Sequence, residues 1–193
     1  HREPLIVNEE ILKHVHSIIG EFAILHLQNG IVLENQIEHN QSKFHRDFPK
    51  DFIASKILSI NAFIAIDEFN HQNGGTWVIP GSHKHEEMPS LEYINENKIQ
   101  IKCPKGSILF FDSLLWHAGG SNFTKKPRRA INQQYTRPFI KQQIDLTKLI
   151  DINEIAGNET LTKTLGFWSI PPSSINEYRV DDPSKRTYRK GNN

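Results

Sequence analysis

Apolar positions recur at helical spacing near the start of the chain. Ile6, Ile11, Leu12, Val15, Ile18 and Ile19 fall on one face of a helix predicted over 4–20. Asn8 with Glu9 and Glu10 marks its start, and Gly20 its end. The period then shortens. Residues 21–28 and 31–36 read as two strands around Asn29-Gly30, a dipeptide that favours a tight hairpin turn. Residues 56–67 (KILSINAFIAID) are continuously apolar and β-branched, which predicts a strand buried on both faces. Further short strands are predicted at 76–79, ended by Pro80-Gly81, and at 106–112, continuing through 114–117 after a kink. The last is predicted at 129–136. Helices are expected over 89–96 and 148–165. Prolines 138, 171, 172 and 183 break up the tail, whose final dozen residues are basic, polar and expected to fray.

Many short strands divided by Gly/Pro turns predict a mainly β fold, a sandwich or barrel with flanking helices. A length of 193 residues fits one domain. A net charge of +1 gives no electrostatic footprint for nucleic acid. No apolar run reaches the roughly 18 residues that would span a bilayer. The single cysteine, Cys103, rules out an internal disulfide and points to a reducing, cytoplasmic setting. The chain begins at His1 rather than Met, so its N-terminus is expected to be incomplete.

Ten histidines in this length prompt a search for metal ligands. His45 and Asp47 are two apart, a step that on a strand aims both side chains at one face. His117 lies at the end of an apolar stretch, before the small residues Ala118-Gly119-Gly120. Two imidazoles and one carboxylate form the facial set that holds non-haem Fe(II) with positions left open. Arg128, eleven residues on, has the planar fork that pairs with a carboxylate. The bland readings are a chance H-x-D, a core histidine and a solvated basic run over 125–129. Asp112 is a candidate acceptor for a ligating imidazole or a strand-end cap. His83 reads as structural, and Trp77 and Trp116 as site walls or core.

Four stretches in order carry a resemblance: FHRDFP (44–49), IDEFNHQNGGTWVIPGSHK (66–84), KGSILFFDSLLWHAGGSN (105–122) and RRAINQQY (128–135). With them the chain resembles the phytanoyl-CoA dioxygenase family of Fe(II)/2-oxoglutarate-dependent oxygenases, over about residues 20–136. LGFWSIPP (165–172) resembles a common tail of that family. The resemblance implies a double-stranded β-helix (jelly-roll, cupin-like) core. It implies Fe(II) held by His45, Asp47 and His117, and 2-oxoglutarate paired through its distal carboxylate with Arg128. Phe63 would line the co-substrate pocket, and Thr76 and Asn61 are further candidates by location. The expected activity is hydroxylation of an unactivated C–H bond of a small-molecule metabolite by O₂, with release of succinate and CO₂. In halogenating relatives a small residue replaces the carboxylate, so Asp47 favours hydroxylation. The rivals are a cupin-like isomerase or hydrolase and a non-catalytic jelly-roll binding protein. Neither nucleic acid nor membrane is an expected partner.

Overall fold

A computed structural model of the chain describes residues 4–35, 41–48 and 53–179. The final dozen residues, where fraying was expected, lie outside them. The described chain forms two compact units. One takes in residues up to Leu27 together with those from Tyr135 on, and the other runs from Gln28 to Gln134.

In the first unit the amphipathic pattern folds as α1 (Glu9–Ile19), preceded by a 3₁₀ turn over Leu5–Val7. The Asn8 side chain accepts from the Ile11 amide at 3.2 Å, satisfying a donor that the helix cannot. Gly20 closes the helix at φ 99°, a conformation that costs glycine little. Ile11, Leu12, Val15 and Ile19 are buried, while Ile18 stands 37% exposed at the edge of the stripe. The helix predicted over 148–165 is instead three short ones: α3 (Leu146–Leu149), α4 (Ile152–Ile155) and α5 (Glu159–Thr164). Asp151 and Asn158 cause the breaks. Each turns its side-chain oxygen back onto a backbone amide, Asn153 and Leu161 respectively, and so starts a new helix. The last helix among the described residues is α6 (Ile175–Tyr178).

The sheet strands are β1 (Ile24–Leu33), β2 (Ser59–Ala65), β3 (Trp77–Val78), β4 (Ile99–Gln100), β5 (Ile108–Asp112), β6 (His117–Ala118) and β7 (Arg128–Thr136). They make two sheets, ordered β1-β7-β2-β5 and β4-β3-β6. α2 (Leu91–Asn97) precedes β4, its start capped by Ser90. All seven residues of β2 are buried, which explains its uninterrupted apolar run. β2 pairs antiparallel with β5, Asn61 opposite Phe111.

Two strand expectations are corrected. No hairpin turns at Asn29-Gly30: β1 passes straight through, and Gly30 is not among the glycines at positive φ that such a turn needs. Residues 28–33 keep an alternating burial pattern, so pairing along β7 outweighs the local turn preference. Nor does 114–117 continue β5. The Asp112 carboxylate accepts from the Leu114 amide at 2.9 Å, and the Leu115 amide donates to the Asp112 carbonyl. This turn ends β5 and carries the chain into the other sheet, where β6 pairs with β3. Phe63, Ala65, Phe69, Phe111, Ala130 and Ile31 form the core beside it.

Candidate metal centre

His45 and His117 are joined through their backbones. Each amide donates to the other's carbonyl, at 2.9 and 3.1 Å, as an isolated antiparallel bridge. The H-x-D stretch is therefore not a regular strand. A single bridge residue is followed by a bend, and the amides of Asp47 and Phe48 both donate to the Ser113 carbonyl. The crossing from β5 to β6 thus gives His45 and Asp47 their backbone partners and His117 its place. Arg46, between them, is buried on the other side. Its guanidinium lies 5.0 Å from the Trp116 ring centroid, in the cluster of Ile79, Ile94 and Trp116 with Phe44 beside it. Trp116 therefore fills core.

The three ligand atoms lie within 4.8 Å of one another. His45 Nε2 is 3.5 Å from Asp47 Oδ1, and His117 Nε2 is 3.6 Å from Asp47 Oδ2. The Nδ1 of His45 lies 2.8 Å from the Lys43 carbonyl, and that of His117 lies 3.0 Å from the Leu115 carbonyl. A carbonyl can only accept, so the ring hydrogens sit on Nδ1 and both Nε2 lone pairs face the centre. Backbone carbonyls, not Asp112, serve as these acceptors, and Asp112 is the strand-end cap. Burial holds the His117 pKa below its ordinary value, keeping the ring neutral and able to ligate. For Asp47, burial opposes ionisation. The bond from Asn61, together with His45 and His117 whenever those rings are protonated, outweighs it, and the carboxyl is held below the usual range.

Arg128 begins β7 and is 2% exposed, whereas Arg129 points outward and pairs with Asp67 at 2.9 Å. Strand alternation separates the two within one basic run. Arg128 Nη2 donates to the Gly74 carbonyl at 2.9 Å, and the guanidinium lies 4.4 Å from the Phe69 ring centroid. Its Nε and Nη1 are buried with no acceptor among the described residues. Burial lowers its pKa to about 10, so it is charged at neutral pH.

Gln41, His45, Asp47, Phe63, Thr76, Phe111, His117, Gly119, Arg128 and Asn132 line one cavity, with Ile31 and Leu33 closing its apolar wall. Its free space is about 30 Å³, room for an ion with a water or two. Phe63 and Thr76 thus share the space with the triad. Asn61 instead lies fully buried behind Asp47 and donates to Oδ2 at 2.8 Å. Asn132 went unrecognised in the sequence, although it is four positions from Arg128 in an alternating strand and so shares its face. Gln41 carried no such signal. Gly120 packs against backbone, since a Cβ there would come 2.6 Å from the Gly75 carbonyl.

A sheet-rich scaffold with a two-histidine, one-carboxylate cluster and a buried arginine beside it is the arrangement of a non-haem oxygenase. Residues 2–130 match the model of the phytanoyl-CoA dioxygenase (PhyH) family, and the chain belongs to it. It is 40% identical over 188 residues to the uncharacterized protein Rv1501 of Mycobacterium tuberculosis, covering 94% of this chain and 68% of that protein. To the dioxygenase olcK of Penicillium canescens it is 32% identical over 201 residues, covering 92% and 65%. Two solved structures share the fold. The apo non-heme monooxygenase ThoJ has a TM-score of 0.62 at 17% identity, covering 73% of this chain and 56% of that one. The non-heme alpha ketoglutarate dependent epimerase SnoN from nogalamycin biosynthesis has a TM-score of 0.55 at 18% identity, covering 69% and 55%. The chain spans about two thirds of these curated relatives and 32–59% of the leading structural matches.

Proposed function

We propose that this chain is an Fe(II)- and 2-oxoglutarate-dependent oxygenase that hydroxylates an unactivated C–H bond of a small-molecule metabolite. Its scaffold in this reading is a double-stranded β-helix, with residues 1–193 acting as one domain in the cytoplasm. One observation carries the proposal. Three ligand atoms converge on the same cavity as a buried guanidinium with two N–H groups lacking acceptors among the described residues. Buried donors are seldom left unpaired, and a carboxylate is the strongest acceptor for a guanidinium.

His45, Asp47 and His117 would hold the iron, through two Nε2 lone pairs and a carboxylate. Bound Fe(II) supplies activation of O₂ coupled to decarboxylation of 2-oxoglutarate to succinate and CO₂. The protein's own part is orientation and exclusion. Arg128 fixes the distal carboxylate of the co-substrate, while Phe63, Phe111, Ile31 and Leu33 keep bulk water from the centre. Thr76 offers a hydroxyl to the same molecule. A five-carbon dicarboxylate exceeds the present free space, so its entry requires lining side chains to move. Asp47 fills the position that a halide would take, which favours hydroxylation.

The test is anaerobic loading with Fe(II), then exposure to O₂ with 2-oxoglutarate and a panel of candidate substrates, reading succinate. Iron-dependent succinate formation is expected, and Asp47→Ala should lose both iron and turnover. Iron binding without 2-oxoglutarate consumption would favour a cupin-like enzyme. Absence of iron binding in the wild type would leave only a binding protein.

A further inference from the structure

Behind Asp47 lies a run of buried polar side chains that the metal and co-substrate roles leave unused. Asn61 Nδ2 donates to Asp47 Oδ2 at 2.8 Å and to Asn132 Oδ1 at 2.9 Å, which uses both of its hydrogens. Asn132 Nδ2 reaches the same Asp47 Oδ2 at 3.4 Å. On the other side, the Ser113 hydroxyl donates to Asn61 Oδ1. Ser113 and Ser59 are 2.8 Å apart, oxygen to oxygen, and Gln134 Nε2 donates to Ser59 at 3.0 Å. Ser113 spends its hydrogen on Asn61, so Ser59 must donate to Ser113. Ser59, in turn, accepts from Gln134. Every hydrogen in the series therefore points the same way, from Gln134 through the serines to the carboxylate. Ser59, Asn61, Ser113 and Gln134 are each at most 2% exposed.

The acceptor-only carboxylate on one side and the Ser113 hydroxyl on the other decide how the Asn61 amide sits. Turned over, it would set its carbonyl against the Asp47 carboxylate and take away the acceptor for the Ser113 hydroxyl hydrogen. In a dry interior that reversal is costly, and aligned donors polarise one another. Asp47 Oδ2 is occupied by amide hydrogens, which leaves Oδ1 as the oxygen with capacity for a metal.

Resting on the iron-centre reading above, we propose that Asn61 and Asn132 are positioning residues that make Asp47 a one-oxygen ligand, the Gln134–Ser59–Ser113 relay locking Asn61 as donor. One coordination position that a chelating carboxylate would occupy is thereby kept open for other ligands.

The experiment is anaerobic titration of the whole chain with Co(II), following its visible absorption, for wild type, Asn61→Leu, Ser113→Ala and Ile94→Ala. Asn61→Leu removes both donors at similar volume. A ten- to hundredfold loss of Co(II) affinity is expected, the range seen when the groups supporting a metal ligand are removed. The spectrum should change too, because the freed carboxylate oxygen can join the metal. Ser113→Ala should do the same to a smaller degree. Ile94→Ala, in a core cluster apart from this relay, should lower the melting temperature without altering the spectrum. If Asn61→Leu does not fold, Ser113→Ala carries the test on the same criteria. Wild-type binding with affinity and spectrum retained in the folded relay variants would overturn the proposal and leave the iron reading standing. Failure of the wild type to bind would instead remove the reading on which it rests.

Discussion

Arg128 shows how much a single side chain can be asked to do. It stands over Phe69, gives one N–H group to Gly74, and keeps two more without acceptors among the described residues. Lysine at this position keeps the charge but not the fork. Arg128→Lys should therefore raise the KM for 2-oxoglutarate by about 10²-fold, the loss of one or two charge-assisted bonds at roughly 1.5–3 kcal/mol each. Fe(II) affinity should stay within about twofold, because the guanidinium is not a ligand. Steady-state succinate kinetics beside anaerobic iron titration check both halves. An unchanged KM would take Arg128 out of its role. That His45, Asp47, His117 and Arg128 share one cavity was legible because their residue types are rare in this spacing and their chemistry is specific. Asn61 was legible only as a pocket candidate. Its actual partner, Asp47, lies fourteen residues away and shares no local pattern with it.

At the scale of elements, caps and close approaches govern where segments begin and meet. Asn8→Ala removes the side-chain acceptor for the Ile11 amide and should cost about 1 kcal/mol. Denaturant unfolding should show this as a lower midpoint at unchanged slope. Gly74 is more demanding. It sits at φ 80°, and a Cβ there would press on the Leu33 side chain and come 2.8 Å from the Gly120 carbonyl. Neither backbone can yield without moving the Gly74 carbonyl that Arg128 grips. Gly74→Ala should cost about 2 kcal/mol or more, and should weaken 2-oxoglutarate binding as well. Calorimetry and co-substrate titration separate the two effects. Wild-type behaviour in both would show that the loop relaxes freely. The strands of continuous apolar character, such as β2, could be read directly. The passage of β1 through Asn29-Gly30 could not, because the pairing that overrides the turn comes from β7, about a hundred residues later.

Across the whole molecule, acid should be destabilising well before carboxylates titrate. Burial lowers the pKa of His16 and of His26, and in His16 the charge of Lys163 adds to it. The folded chain keeps these rings neutral where the unfolded chain, near 6.5, takes up protons. Their contribution is complete above about pH 6.5 and is lost as pH falls below it. The melting temperature should fall between pH 7 and 5, and His26→Leu should flatten that fall. An equal slope in the variant would show that His26 does not contribute. Sequence alone determined the sheet-rich class, the capped first helix and the three side chains that converge as a candidate metal centre, since period, cap chemistry and motif spacing are all local or motif-bound. The tertiary structure decided the rest: where β5 breaks and crosses sheets, which arginine of the basic run turns inward, and which amides stand behind Asp47. Those outcomes rest on pairings and buried hydrogen bonds between residues dozens of positions apart, and such partners are chosen only when the chain is packed.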